Sequence, residues 1–296
     1  MFELSNRKTL VDLVTPPTGF KFERGIATSY SLELDTLMRV LLALQSYNSE
    51  SDIINDRFAF LQTLTKVINK GNFLIFCSSG HISSYKSSKV VTLLDNVISD
   101  IYVEDGKFHP KVWLLKYAPL EKNKANRDDI YRFICMSKNL TNSDFLEASF
   151  SVEGKRNNRL RGKNKNLISF LKDVLSFADK NKVNKEAFTS LVRELDGVEF
   201  EIPDADFEYF YQFGKESAKK LERNLEIKNI KKGAIISPFL NSTFIEGLAK
   251  KVKDIIIIST QSALDGVSDR VYDAYLKNNE NIYILADDVA SEESLA

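Results

Sequence analysis

Only two of the 296 residues are histidine, and one of them, His109, stands two positions before Lys111 at the head of an apolar run, Val112-Trp113-Leu114-Leu115. Residues two apart on a strand project from the same face, so an imidazole and an ammonium group would stand together. With an ordinary pKa of about 6.5, an imidazole can act as nucleophile or proton carrier at neutral pH. The lysine supplies a compact positive charge suited to phosphate. Further along, Ile134-Cys135-Met136-Ser137-Lys138-Asn139-Leu140-Thr141 repeats the spacing with Ser137 and Asn139. If the two segments are neighbouring strands, His109, Lys111, Ser137 and Asn139 converge as four polar groups able to hold a phosphate.

The elements that would position them read as follows. Ile26–Tyr30 is a predicted strand, and apolar spacing predicts a helix over Leu32–Leu44 with Ser31 as its cap. A second helix covers Asp52–Asn69, stopped by Gly71. Asn72–Cys77 reads as a buried strand, Ser88–Asn96 as a short helix and Ile98–Val103 as a strand. The His109 stretch is predicted as a strand to Tyr117, followed by a polar loop at 118–130 and strands at Tyr131–Met136 and Ser149–Val152. Helices follow over Asn166–Ala178 and Lys185–Leu195. A further α/β stretch has strands at Ala234–Ile236, Asp254–Ser259 (read as fully buried) and Ile282–Leu285, with helices Phe244–Val252 and Val267–Leu276 between them. Alternation of this kind predicts an α/β fold with a mixed sheet flanked by helices. Strands at 26–30, 73–77 and 98–103 parallel those at 234–237, 255–259 and 282–285, so the chain reads as two weakly similar halves. The boundaries are 1–160 for the half carrying His109, 161–200 for a helical connector, and 201–296 for a second half without a His-x-Lys.

Composition narrows the classes. Lysine plus arginine and aspartate plus glutamate both number 41, so net charge is zero and only local patches can favour a polyanion. The two cysteines, Cys77 and Cys135, end apolar runs and make neither a disulfide framework nor a zinc site. No signal peptide and no apolar run of membrane-spanning length is present, which leads to the expectation of a cytoplasmic protein with no membrane partner.

The ordered pair His109-Pro110-Lys111 and Ser137-Lys138-Asn139, running on as Asn139-Leu140-Thr141, resembles the signature of the phospholipase D superfamily. It is most similar to prokaryotic nuclease-like and helicase-associated members. The resemblance covers about 25–155 well and 200–290 loosely. Met136 stands where the family usually has glycine, the gap between motifs is lengthened by 118–130, and no carboxylate follows within Val112–Lys116. Glu147, with Glu153 as runner-up, matches the acidic residue that can follow in nuclease-like members. The resemblance implies a phospholipase D-like sandwich and a metal-independent, cofactor-free phosphodiesterase. His109 would form a phosphohistidine, a second histidine would protonate the leaving oxygen, and Lys111, Ser137 and Asn139 would bind phosphate while Glu147 orients His109. It also implies nucleic acid, DNA first, as substrate, and a defence or restriction role.

Two readings follow. One is an active nuclease whose site is completed by a homodimer or by a further C-terminal region. The other is a non-catalytic or incomplete module that binds nucleic acid or a partner within a larger defence or helicase protein. Lys155, Arg156, Arg159, Arg161 and Lys163 form a basic run, with no acidic residue in 155–165, that could grip a phosphate backbone or simply be a solvated loop. His81 has no lysine two positions on and reads as an exposed loop residue. Trp113 reads as core in preference to a base-stacking surface, and the aromatics of 198–213 as packing.

Overall fold

The computed structural model describes residues 7–45, 62, 65, 68, 71–84, 91–104, 107–121, 128–143, 147–157, 159, 162, 164–178, 185–202, 231–252 and 254–285. The chain divides into two compact units, Met1–Gln212 and Phe213–Ala296.

The first unit is built on a mixed seven-stranded sheet. Its strands are β1 (Phe20–Ser29), β3 (Phe73–Ser78), β5 (Ile98–Ile101), β6 (Val112–Pro119), β7 (Ile130–Met136), β8 (Ser149–Arg156) and β9 (Val198–Phe200). They lie in the order β5-β3-β1-β6-β7-β8-β9, with β2 (Leu32–Glu33) and β4 (Ile82–Ser83) forming a small separate pair. The β1–β3 and β3–β5 pairs are parallel. All pairs from β1–β6 onward are antiparallel.

Alternation along each strand sends side chains to two cores. On one face, Ala27, Phe73, Ile75, Trp113 and Leu115 pack with α1 (Leu10–Val14) and α2 (Leu34–Ala43). On the other, Ile26, Leu74, Phe76, Val112 and Leu114 pack with α4 (Lys165–Ser176) and α5 (Lys185–Glu194). The short α3 (Val91–Leu94) precedes β5. Trp113, 1 % exposed, is core.

Several expectations shift. The segment 161–200, expected to connect two halves, instead covers one face of this sheet and supplies its last strand, because Leu171, Val174, Phe188 and Leu191 bury their apolar stripes there. The start of α2 is capped by Glu33 backbone geometry, with no side-chain cap from Ser31, since Leu32 and Glu33 first pair as β2. α1 was not foreseen. Thr9 and Asp12 form its capping box, and Arg132 donates to the Leu13 and Thr15 carbonyls at its end. The expected helix over 52–69 and most of the aromatic segment 198–213 lie largely outside the described residues.

The second unit has three parallel strands, β10 (Lys232–Ile236), β11 (Asp254–Ser259) and β12 (Ile282–Ile284), in that order. α6 (Ser242–Ala249), α7 (Gln261–Asp265), α8 (Asp269–Val271) and a π-helical turn (Tyr272–Leu276) accompany them. Here β11 is not fully buried: Ile255 and Ile257 are covered, while Ile256 is 37 % exposed. Among the described residues the apolar cluster of this unit packs on the Ile255–Ile257 side alone.

The two units share a detail finer than strand order. After its first strand, each turns through a serine whose hydroxyl donates to the carbonyl two residues on: Ser29 to Ser31 at 2.6 Å, and Ser237 to Phe239 at 2.7 Å.

Candidate active site at the strand ends

Every candidate catalytic residue falls at one end of the large sheet. β1, β3, β5 and β7 finish there, and β6 and β8 begin there. His109 and Lys111 lie just before β6, not within a strand. The ladder stops because the Thr28 hydroxyl takes over Val112, accepting from its N–H at 2.8 Å and donating to its carbonyl at 3.1 Å. Pro110 has no N–H to extend the pairing. The expected companionship survives this change. Lys111 Nζ lies 3.1 Å from His109 Nδ1 and 3.2 Å from the His109 carbonyl. Lys111 is buried at 8 % exposure, whereas His109 faces solvent. Burial pulls the Lys111 ammonium down to about 8, and the fields of Glu147 and Cys135 offset part of that loss.

Ser137 and Asn139 arrive on the loop after β7. The Asn139 carboxamide oxygen accepts from the backbone N–H groups of Tyr30 at 3.3 Å and Ser31 at 3.5 Å. Its NH2 end is therefore the one able to donate to an oxyanion. Leu140 N–H donates to the buried Ser29 hydroxyl at 2.9 Å, and Glu33 N–H to the Leu140 carbonyl at 2.8 Å. The serine turn after β1 thus serves as the seat on which Asn139 is mounted. Ser137 donates its hydroxyl to Glu147 and accepts from Ala148 N–H at 3.0 Å. Glu147 accordingly holds Ser137 and supports the Lys111 charge. Glu153, the alternative carboxylate, is committed to Arg132 at 2.5 Å.

Two residues with no periodic relation to either motif, Tyr30 and His81, complete the cluster. The Tyr30 ring touches both histidines of the chain, with its centroid 4.2 Å from that of His81 and 4.7 Å from that of His109. The Tyr30 hydroxyl is 3.0 Å from His81 Nε2. Lys107 and Lys111 lie over the same ring at 5.7 and 6.0 Å. His81 is exposed, as expected, yet its backbone is tied at both ends: its N–H donates to the Ser78 carbonyl at 3.2 Å and its carbonyl accepts from Leu32 N–H at 2.9 Å. Gly80, at φ +80° with no atom near a would-be Cβ, is needed for its left-handed turn and not for close packing. Parallel pairing of β1 with β3 brings Tyr30 to His81, a proximity with no periodic signature along the chain.

The basic run lies elsewhere. Lys155 and Arg156 close β8 at its far end, paired to Glu199 and Val198 of β9. β8 is eight residues long, which sets this end roughly 25 Å from the strand's start. Glu199 and Glu201 share a shallow groove with Lys155, Arg156 and Asn157, so the patch is mixed in sign. Arg159 follows in an exposed turn, and Arg161 and Lys163 lie outside the described residues. Of the run that could grip a phosphate backbone or be a solvated loop, Lys155 and Arg156 are thus carried by the strand to the opposite end from His109.

Among the described residues, no helix is long and apolar enough to cross a membrane. No protein-family model matches the chain, and no curated protein does. Among solved structures, the chain is similar to a crystal structure of polyphosphate kinase from Porphyromonas gingivalis, with 14% identity and a TM-score of 0.37. The match covers 93% of this chain and 38% of that one, so this chain spans well under half of its length. A likeness that distant carries nothing about activity.

Proposed function

We propose that the chain is a phospholipase D-like, metal-independent phosphodiesterase acting on nucleic acid, with DNA as the first substrate to test and His109 as the nucleophile. The observation that carries this reading is the buried Lys111 ammonium set against the imidazole of solvent-facing His109. A desolvated cation attracts a phosphate oxygen far more strongly than one in water. Asn139, mounted by its carbonyl oxygen, would donate to a second nonbridging oxygen. Ser137 would sit at the rim, held by Glu147. Phosphate is the class of ligand this group fits: two imidazoles and two ammonium groups gather round one tyrosine ring. Nucleic acid as the carrier of that phosphate rests on the motif resemblance. Lys155, Arg156 and Arg159 would meet a polynucleotide only where it runs the length of β8.

The test is incubation of labelled single- and double-stranded oligonucleotides with the full chain in EDTA. Cleavage is expected from the natural sequence and none from His109→Ala, with an acid-labile phosphoryl group trapped on His109. Cleavage at the natural rate by His109→Ala would sink the reading. Binding without cleavage by both proteins would favour the binding-only module instead.

A further inference from the structure

We infer that His81 is the second histidine of the reaction, so that one subunit carries the nucleophile and the proton carrier together. This inference rests on the phosphodiesterase reading above and would fall with it. A displacement at phosphorus through phosphohistidine needs a proton for the leaving alkoxide and then a base for water. The chain has no second His-x-Lys. It has one other histidine, and the fold places that histidine against Tyr30, the residue that touches His109. The two imidazole centroids can be no further apart than the 4.2 and 4.7 Å contacts laid end to end. Lys111 Nζ lies 6.0 Å from the centre of the same tyrosine ring, and the Asn139 carboxamide oxygen accepts from the Tyr30 N–H, so both proposed phosphate ligands border the residue that the two imidazoles touch. His81 is exposed, as a group that meets substrate must be. Its ring is nonetheless fixed by the Tyr30 hydroxyl at 3.0 Å and its backbone by the Ser78 and Leu32 hydrogen bonds. The backbone bonds belong to the Gly80 turn and the β2–β4 pairing, and the tie particular to the imidazole is the one to the Tyr30 hydroxyl. Tyr30 is the positioning residue: it contacts both rings.

His109, neutral, gives its lone pair to phosphorus. The bond from phosphorus to the leaving oxygen breaks, and that oxygen takes the proton of cationic His81. His81, now neutral, removes a proton from water. The hydroxide oxygen bonds to phosphorus, and the phosphorus–nitrogen bond returns its electron pair to His109. His81 ends protonated, ready for another cycle. No co-reactant other than water is consumed.

The experiment separates the two steps by leaving group, using the full chain, labelled oligonucleotide and bis(p-nitrophenyl) phosphate. An alkoxide needs protonation to leave, whereas p-nitrophenolate does not. His81→Ala is expected to lose oligonucleotide cleavage by about a hundredfold or more. With the aryl ester it should still release a burst of one equivalent of p-nitrophenolate and then stall, with phosphohistidine accumulating on His109. His81→Gln, which keeps a hydrogen-bond partner for Tyr30, should behave in the same way and controls for folding. Mixtures of His81→Ala and His109→Ala chains should regain nothing, because both histidines serve one site. Cleavage by His81→Ala at the natural rate, or equal loss on both substrates with no burst, would overturn the assignment. Regained activity in the mixture would also overturn it, giving the second histidine to a partner copy. If instead His109→Ala keeps activity on either substrate, the phosphodiesterase reading itself fails, whatever His81 does.

Discussion

Two buried lysines bracket the start of β6, five residues apart, and each is 8 % exposed. Their surroundings are opposite. Lys116 Nζ lies 3.0 Å from Glu23, 3.1 Å from Asp129 and 2.9 Å from Glu194, and sits 5.7 Å over the Tyr131 ring. Burial alone would loosen its proton, but the hydrogen bonds it donates to Glu194 and Glu23, the field of Tyr131 and a further hydrogen bond to Asp129 outweigh it and hold the ammonium well above the usual lysine range. Lys111 has His109 beside it, and among the described residues no carboxylate within ion-pair distance. Burial therefore wins, and its pKa falls to about 8. One charge is neutralised by the protein's own carboxylates. The other is kept desolvated and underpaired, the state in which an incoming anion gains most.

Removing each charge in turn separates the two lysines most strongly. Lys116→Met leaves three carboxylates around a lost cation and should cost about 3–5 kcal/mol of stability, read as a lower denaturant midpoint. Lys111→Met removes a charge that folding disfavours and should raise stability by about 1 kcal/mol at neutral pH. The same substitution should cut oligonucleotide cleavage by roughly a hundredfold or more. Equal destabilisation by both variants would mean that Lys111 is structural, and the contrast would fail.

The next effect is on pH. Lys111 binds phosphate as the ammonium, so its contribution is present below about pH 8 and lost as pH rises through that value. The kcat/KM profile should fall on the alkaline side near there. Glu147 raises the Lys111 pKa. Glu147→Gln should therefore move the alkaline limb to lower pH while leaving the fold intact. A limb that stays in place would detach Glu147 from Lys111.

Lys111 and Lys116 look alike in an apolar run. Their difference depends on Glu23, Asp129 and Glu194, which reach Lys116 from β1, the loop before β7 and the end of α5. His109 with Lys111, and Ser137 with Asn139, were legible because each pair is two residues apart and needs only local backbone to meet. The α/β alternation was legible because apolar spacing reports it directly. Tyr30 and His81 were not, since they meet through parallel pairing of strands separated by the whole of α2 and the residues after it. The strand length of β8 was underestimated at Val152, since Gly154, Lys155 and Arg156 carry no apolar alternation. They are in the strand because β9 pairs with them. Gly154 is required there, as a Cβ would lie 2.5 Å from the Glu199 carbonyl oxygen. That missed extension is what carried the basic run away from the site.

The smallest effect tests that distance. If Lys155 and Arg156 touch a nucleic-acid backbone while His109 does the chemistry, neutralising them should act on affinity alone. Lys155→Gln and Arg156→Gln should each lower the slope of log affinity against log salt by about 1 and weaken binding uniformly across sequences. The maximal rate and the alkaline limb should not move, because neither side chain shares the end of the sheet that holds Lys111. Glu199, which lines the same groove, should do the reverse when changed to Gln, strengthening binding slightly by removing a negative charge beside the cations. A change in maximal rate from any of the three would place that end of β8 in contact with the reacting phosphate, which its separation along the strand argues against.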